Sequence, residues 1–131
     1  MGNVVMPGRS KGGAASVKNL VVNISERMRG ETKTVETSID FDYEPAFVLV
    51  IFTETPTGTN SKIPYTRGDA LLLAQGQSAY YSEIDSDGFL YVAATLTLSG
   101  ARVKSTATLK SKDGALNTVI HTANLFLYGA L

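Results

Sequence analysis

The sequence has no cysteine and no tryptophan, and it has a single histidine, His121. Without cysteine there can be no disulfide bond, no thiol nucleophile and no cysteine-ligated zinc or iron–sulfur site. One histidine excludes a histidine-rich metal site, and a Ser-His-Asp triad would have to be built around it. Neither a Gly-x-Ser-x-Gly elbow nor a Walker phosphate loop occurs. We therefore expect no enzyme, no cofactor and no resident metal ion.

An excess of charge of one sign is also missing, because twelve basic and twelve acidic residues cancel. The chain thus lacks the basic field that nucleic-acid-binding proteins use, and we expect no nucleic-acid partner. No apolar window reaches the about 18 residues that a membrane span needs. Residues 1–30 also lack the apolar core of a signal peptide. We expect a protein that is made in the cytoplasm and is not inserted in a membrane.

The composition is richer in apolar residues than that of a typical soluble domain. Hydrophobic residues make up 44% and charged residues 18% of the chain, against about 25% charged in an average domain. We expect that other subunits cover the extra apolar surface, which predicts a homo-oligomer. The charges fall in blocks, with six basic and two acidic side chains in residues 1–33 and five acidic ones in residues 34–60. Such blocks could pair head-to-tail between subunits or simply alternate on exposed strands.

The chain length of 131 residues fits one domain with one core. Residues 1–16 contain four glycines, one proline and no periodicity, which predicts an extended arm that is disordered unless a neighbouring subunit holds it. Arg9 and Lys11 give this arm basic side chains and are candidate contacts to a partner. Residues 17–131 are predicted to form a single β domain.

The pattern from residue 17 onward is that of β-strands. Residues 17–24 form one candidate strand, and residues 32–41 alternate between apolar and polar side chains as a strand with one wet face does. Residues 46–52 are apolar at every position, which predicts a central strand covered on both sides. Residues 69–75 fit a short helix capped by Asp69 as well as a further strand.

Three turn signals divide the C-terminal half into apolar runs: Asp87-Gly88, Ser99-Gly100 and Asp113-Gly114. Their spacing predicts an antiparallel meander. A two-residue loop at Ser99-Gly100 would pair Leu98 with Ala101. A three-residue loop around Gly114 would turn five side chains inward, namely Val119, His121, Ala123, Leu125 and Leu127. About eight strands without a convincing helix predict an antiparallel two-sheet β-sandwich or a jelly-roll-like domain.

Residues 83–88 have the oxygen-ligand spacing of the first half of a calcium loop, with Asp85 and Asp87 among the ligands. Ala94 stands where such a loop has its bidentate glutamate. A hairpin turn is the better interpretation, and a weak surface calcium site is the alternative.

Residues 53–69 are rich in Thr, Pro, Gly and Asn and predict a long surface loop of the kind that often carries recognition. Tyr65 and Arg67 lie in this loop, and Tyr80 and Tyr81 follow it along the chain. Tyrosine combines a flat apolar body with a polar tip, which suits contacts to glycans and proteins. These four side chains are candidate partner contacts.

A family resemblance covers about residues 33–131. The chain resembles small β-sandwich domains of bacteriophage tail appendages in three stretches: Ile39-Asp40-Phe41 through Pro45 into Phe47-Val48-Leu49-Val50, then Asp87-Gly88-Phe89 opening a strand, and last Leu125-Phe126-Leu127-Tyr128-Gly129. Here Tyr43-Glu44-Pro45 stands where those domains commonly have Gly-Phe-x-Pro, and a short arm replaces a fibre shaft.

The resemblance implies a non-enzymatic structural protein of a phage-like virion, such as a tail, collar or decoration component that is assembled in the host cytoplasm. Its partners would be further copies of itself and other virion proteins, and its N-terminal arm would lie on a neighbouring subunit. The alternative is a carbohydrate- or receptor-binding β-sandwich module that uses the tyrosines beside the long loop.

Overall fold

The computed structural model describes residues 16–56, 65–86, 90–112, 114 and 116–130. These residues form strands and connecting turns without any helix, so the all-β prediction is confirmed. The eight strands are β1 (Ser16–Met28), β2 (Thr32–Asp40), β3 (Phe47–Phe52), β4 (Ala70–Ala74), β5 (Ser78–Ser86), β6 (Leu90–Ser99), β7 (Arg102–Ser111) and β8 (Asn117–Ala130).

The strands form two antiparallel four-stranded sheets that pack against each other. Sheet I has the order β1-β8-β3-β4 and sheet II has the order β2-β7-β6-β5. The first strand therefore pairs with the last, from Ser16 opposite Gly129 to Met28 opposite Asn117, and β2 pairs with β7 in the other sheet. The architecture agrees with the predicted two-sheet sandwich.

The core lies between the inner faces of the two sheets, where apolar side chains recur at every second position as the pleat requires. In β8 the five side chains predicted to point inward are all buried: Val119, His121, Ala123, Leu125 and Leu127. In β2, Val35 and Ile39 pack against the core from the edge of sheet II. Each sheet is thus covered on one side by the other sheet.

Strand β3 departs from its prediction. It lies between β8 and β4 inside sheet I, and Val48, Val50 and Phe52 are fully buried against sheet II. On the opposite side Phe47 is 40% exposed and Leu49 is 37% exposed. The prediction of cover on both sides is wrong for the described residues, because they place one sheet, sheet II, against β3 and none on its other side.

Residues 70–74 form strand β4 rather than a helix. This strand pairs with β3 through Val48 opposite Leu73 and Val50 opposite Leu71, and both leucines are buried while Leu72 between them is 56% exposed. The alternating burial has the period of two that distinguishes a strand from a helical turn.

The loop between β6 and β7 consists of Gly100 and Ala101, because Ser99 pairs with Arg102 and Leu98 with Val103. The prediction of a loop at Ser99-Gly100 is wrong, because it paired Leu98 with Ala101 and the observed partner lies two residues further along the chain. A shift of two residues leaves every side chain on its predicted face. Gly100 has φ +61°, and the favoured hairpin turns need a positive φ at the first loop position. Glycine therefore belongs at that position.

The connection from β7 to β8 passes from sheet II to sheet I, so the predicted hairpin at Asp113-Gly114 is wrong. The inward residues of β8 were nevertheless correct, since they follow from the apolar pattern and not from the neighbouring strand. Strands β5 and β6 are adjacent and antiparallel, with Ser86 opposite Leu90. The Asp87-Gly88 turn between them lies outside the described residues.

Strand β1 begins at Ser16, which the prediction had placed in the arm, and residues 1–15 lie outside the described residues. The backbone N–H of Ser16 donates to Tyr43 Oη at 3.0 Å, and Tyr43 Oη donates to the carbonyl of Gly129 at 2.6 Å. A Cβ on Gly129 would lie 2.7 Å from Phe41 Cε1 and 2.9 Å from Tyr43 Oη. Tyr43 thus links the start of β1 to the end of β8, and its position leaves no room for a side chain on Gly129.

The substitution Gly129→Ala tests this fastening. The new methyl group must push Phe41 and Tyr43 aside, and such overpacking costs about 1–3 kcal/mol of the free energy of unfolding. Tyr43→Phe keeps the ring and loses two hydrogen bonds, so we expect a smaller loss of about 1 kcal/mol. Denaturant unfolding measures both values. A Gly129→Ala variant as stable as the parent chain would contradict the close contact.

Candidate functional site

The structure separates the residues that the sequence suggested as partner contacts. Arg9 and Lys11 lie outside the described residues. Arg67 is exposed, and its backbone N–H donates to Thr55 Oγ1 at 3.2 Å, which holds together the two described ends of the long loop. Residues 57–64 of that loop lie outside the described residues.

Tyr65 and Tyr81 both pack on the core side chain Phe52. The ring of Tyr65 stacks on Phe52 with centroids 4.8 Å apart and planes 8° apart, and Tyr81 approaches the same Phe52 ring at 6.1 Å. Tyr65 is half-buried, while Tyr81 is completely buried. The structure therefore differs from the prediction of Tyr81 as a surface contact, because its ring fills the space between the sheets.

A β-bulge explains why neighbouring tyrosines point in opposite directions. The register between β5 and β6 shifts between Tyr80 and Ser82, so the extra residue turns both Tyr81 and Ser82 into the core, where each is 0% exposed. Tyr80 stays on the outer side of sheet II and is 40% exposed. Desolvation and the neighbouring Glu83 carboxylate raise the pKa of Tyr80 above its ordinary value. Of the predicted tyrosines, Tyr80 is the exposed one.

Tyr81 also carries a buried polar bridge between the two sheets. Its hydroxyl lies 2.8 Å from Ser105 Oγ in β7 and 3.2 Å from His121 Nε2 in β8. Ser105 is 1% exposed and His121 is 0% exposed. The only histidine of the chain is therefore a core residue on an apolar strand face, held by hydrogen bonding, and a substrate in solution has no path to its ring.

The outer side of sheet I is apolar, and we call it the apolar face. Nine large hydrophobic side chains are exposed in the described part of the chain. Seven of them point outward from this sheet, namely Val17, Val21, Phe47, Leu49, Leu72, Ile120 and Phe126. Scattered single apolar residues are normal on protein surfaces, whereas a contiguous group on one sheet is not.

The apolar side chains form adjacent rows across the strands. One row runs from Leu72 through Leu49 and Tyr128 to Val17, and its one polar side-chain group is the Tyr128 hydroxyl. On one side of it Ala74, Phe47 and Ala130 are aligned. On the other side Ala70, Ile51 and Phe126 are followed by Asn19. The face thus has a continuous apolar surface at the end where all four strands are paired, beside the start of β1 and the end of β8.

The outer side of sheet II has the opposite character, and we call it the polar face. Its described side chains include three acidic and three basic residues: Glu36, Asp40, Glu83, Arg102, Lys104 and Lys110. Arg102 Nε contacts Asp40 Oδ1 at 2.8 Å, and its guanidinium lowers the pKa of the Asp40 carboxyl. Lys104 Nζ lies 3.5 Å from Glu36 Oε2. Four of these six charged side chains thus form two ion pairs. The polar face suits contact with water.

The apolar face was missed in the choice of candidate residues, although the sequence carries its signal. Residues 46–52 are apolar at every position, and a two-faced strand of that kind needs cover on both sides. The pairing of β3 with β8 and β4, which brings Phe126 and Leu72 next to this strand, was not predictable from local patterns. The face therefore appears only when the sheet order is known.

The buried phenol of Tyr81 predicts how the free energy of unfolding changes at alkaline pH. Burial raises its pKa from 10.0 to about 12, so between these pH values the unfolded chain loses the proton while the folded chain keeps it. The free energy of unfolding should then fall as pH rises through this window, by up to about 3 kcal/mol. Tyr81→Phe lacks this contribution and should be less pH-dependent there.

Denaturant unfolding at several pH values measures the difference between the two chains. At neutral pH, Tyr81→Phe should lose about 1–2 kcal/mol because its hydrogen bonds to Ser105 and His121 are gone. Equal pH dependence of both chains above pH 10 would contradict the burial of this hydroxyl.

Among the described residues no helix is long and apolar enough to cross a membrane, and no three His, Asp or Glu side chains gather in a way that could hold a metal ion. No family model, curated protein or solved structure matches the chain. The function must therefore be argued from the surfaces themselves, and the apolar face is the surface that needs an explanation.

Proposed function

We propose that this chain is a non-enzymatic structural protein of a phage-like virion, and that it works by assembling with further copies of itself through the apolar face. One observation carries the proposal: at the end of that face where all four strands are paired, the apolar surface is continuous across them. Apolar patches larger than a few hundred Å² mark interaction sites on soluble domains. Assembly takes this surface out of water without any chemistry at the site.

The strand order supports a virion protein in a second way. The pairing of β1 with β8 in one sheet and of β2 with β7 in the other is nested, and we propose that the domain is jelly-roll-like. Jelly rolls are common in viral capsid proteins and in lectins. Because one fold serves many functions, the resemblance to phage tail appendage domains in residues 33–131 supplies the rest of the support.

The position of Ser16 gives the N-terminal arm a role in this assembly. Residues 1–15 precede Ser16 in the sequence, and Tyr43 fastens Ser16 to the end of β8. Val17, the next residue, belongs to the apolar face and is 52% exposed. Because Ser16 and Val17 lie beside the proposed interface, we propose that residues 1–15 lie on the neighbouring subunit and tether the copies together.

The alternative function, a carbohydrate- or receptor-binding module, has weaker support. It depended on Tyr65, Tyr80 and Tyr81 forming one surface beside the long loop. Tyr81 is buried and Tyr65 stacks on Phe52, which leaves Tyr80 alone as an exposed aromatic ring among them. A glycan-binding site usually needs more stacking surface than one tyrosine provides.

The proposal predicts that the chain is incorporated into particles and that the apolar face is required for this. An epitope-tagged chain is produced in the cell that makes the particles, and the particles are separated by density-gradient centrifugation. Leu72→Glu places a charge on the most exposed large side chain of the face, at 56% exposure. Thr34→Glu places the same charge on the polar face and serves as the matched control.

We expect the parent chain and Thr34→Glu to sediment with the particles, Leu72→Glu to stay in the soluble fraction, and a chain without residues 1–15 to be incorporated less. Circular dichroism checks that each variant is folded. If the folded parent chain is never found in particles, the proposed virion function is wrong. If it is found there but Leu72→Glu is too, the apolar face is not the assembly surface.

A further inference from the structure

Charge on the apolar face is almost absent, and this restricts what can cover it. The strands of sheet I present nineteen outward side chains, of which Arg27 near the end of β1 is the one with a charge. A different protein is usually selected by complementary charges, and this face offers none at its centre. Two copies can meet on it without repulsion between like charges.

The polar face is a poor partner for the apolar face of another copy. Such head-to-tail stacking would bury the Arg102–Asp40 and Lys104–Glu36 pairs, and desolvation of ion pairs costs about as much as their attraction returns. Head-to-tail contacts also continue into open chains of subunits unless they close into a ring. The charges of sheet II therefore favour contact between two apolar faces.

The size of the apolar face also fits this contact. Each outward side chain covers about 33 Å² of a sheet, given about 4.8 Å between strands and about 6.8 Å between outward positions. Nineteen such positions, twelve of them apolar, give a footprint on the order of 600 Å² per copy, of which the apolar positions make up about 400 Å². Two copies together reach about 1,200 Å², the lower end of the range for specific protein interfaces.

We infer that the apolar face packs against the same face of a second copy across a two-fold axis, so that the outer sides of two sheets I form a second core. The inference rests on the proposed function and names the partner of its assembly surface. Two sheet faces pack about 10 Å apart with strands within about 30° of each other. Strands β3 and β4, which carry Phe47, Leu49 and Leu72, would then be covered on both faces of their sheet.

Opposite charges at Leu49 give a direct test, because this residue lies in the row that crosses all four strands. With a two-fold axis that passes through this row, Leu49→Glu brings two acidic groups together in the dimer, and Leu49→Lys brings two basic groups together. Each variant alone should lose dimer affinity by about tenfold or more. An equimolar mixture of the two should regain the dimer, because each glutamate then meets a lysine.

Light scattering and analytical ultracentrifugation of the full chain measure the mass over a range of concentrations. We expect dimers for the parent chain, for Thr34→Glu and for the chain without residues 1–15, monomers for each Leu49 variant alone, and dimers for their mixture. Leu72→Glu, on the edge strand β4, is the second variant in case a charge at Leu49 disturbs folding. It should also be monomeric.

Four results would overturn the inference. A monomeric parent chain would do so, as would a dimer that both Leu49→Glu and Leu72→Glu leave intact. A mixture of Leu49 variants that stays monomeric would show that the apolar face meets a different surface. Loss of the dimer on removal of residues 1–15 would show that the N-terminal arm, and not the apolar face of a second copy, covers the apolar face. Incorporation into particles by a monomeric parent chain would leave the virion function standing while the two-fold contact fails.

Discussion

Each face of a β-sheet must be either covered by protein or lined with side chains that water solvates, and this molecule depends on that constraint. A sandwich of two sheets has two inner faces and two outer faces, and in the part of the chain that the structure describes the two inner faces cover each other. Sheet II meets the constraint with threonines and paired charges on its outer side. Sheet I does not, since phenylalanine, leucine and valine occupy its outer side. The two sheets are therefore built for different surroundings.

Inside the sandwich, a few polar atoms fix how the sheets face each other. The Tyr81 hydroxyl joins Ser105 of sheet II to His121 of sheet I, and a bulge in β5 is needed to bring that ring inward. Apolar contacts between sheets are tolerant of small displacements, whereas hydrogen bonds of about 3 Å are not. Buried networks of this kind give a core a defined arrangement.

Sequence patterns predicted which side of each strand points inward better than they predicted which strands lie next to each other. The inward side of β8 and the wet side of β2 followed from an apolar period of two, which is a local property. Sheet membership is set by contacts far apart in the chain, such as Ser16 opposite Gly129, so the β7–β8 hairpin was predicted wrongly. The bulge that buries Tyr81 has no local signal in the sequence, and the candidate surface built on neighbouring tyrosines failed with it.

The contradiction between the sequence pattern of β3 and its exposure in the single chain is informative. Its unbroken apolar run predicted cover on both sides, yet Phe47 and Leu49 are 40% and 37% exposed in the isolated domain. A strand of this composition is typical of a buried position, and exposing it to water gains nothing for folding. If a second copy lies on the apolar face, β3 has a covering layer on each side. The sequence pattern then describes the assembled protein, and the isolated chain is one half of it.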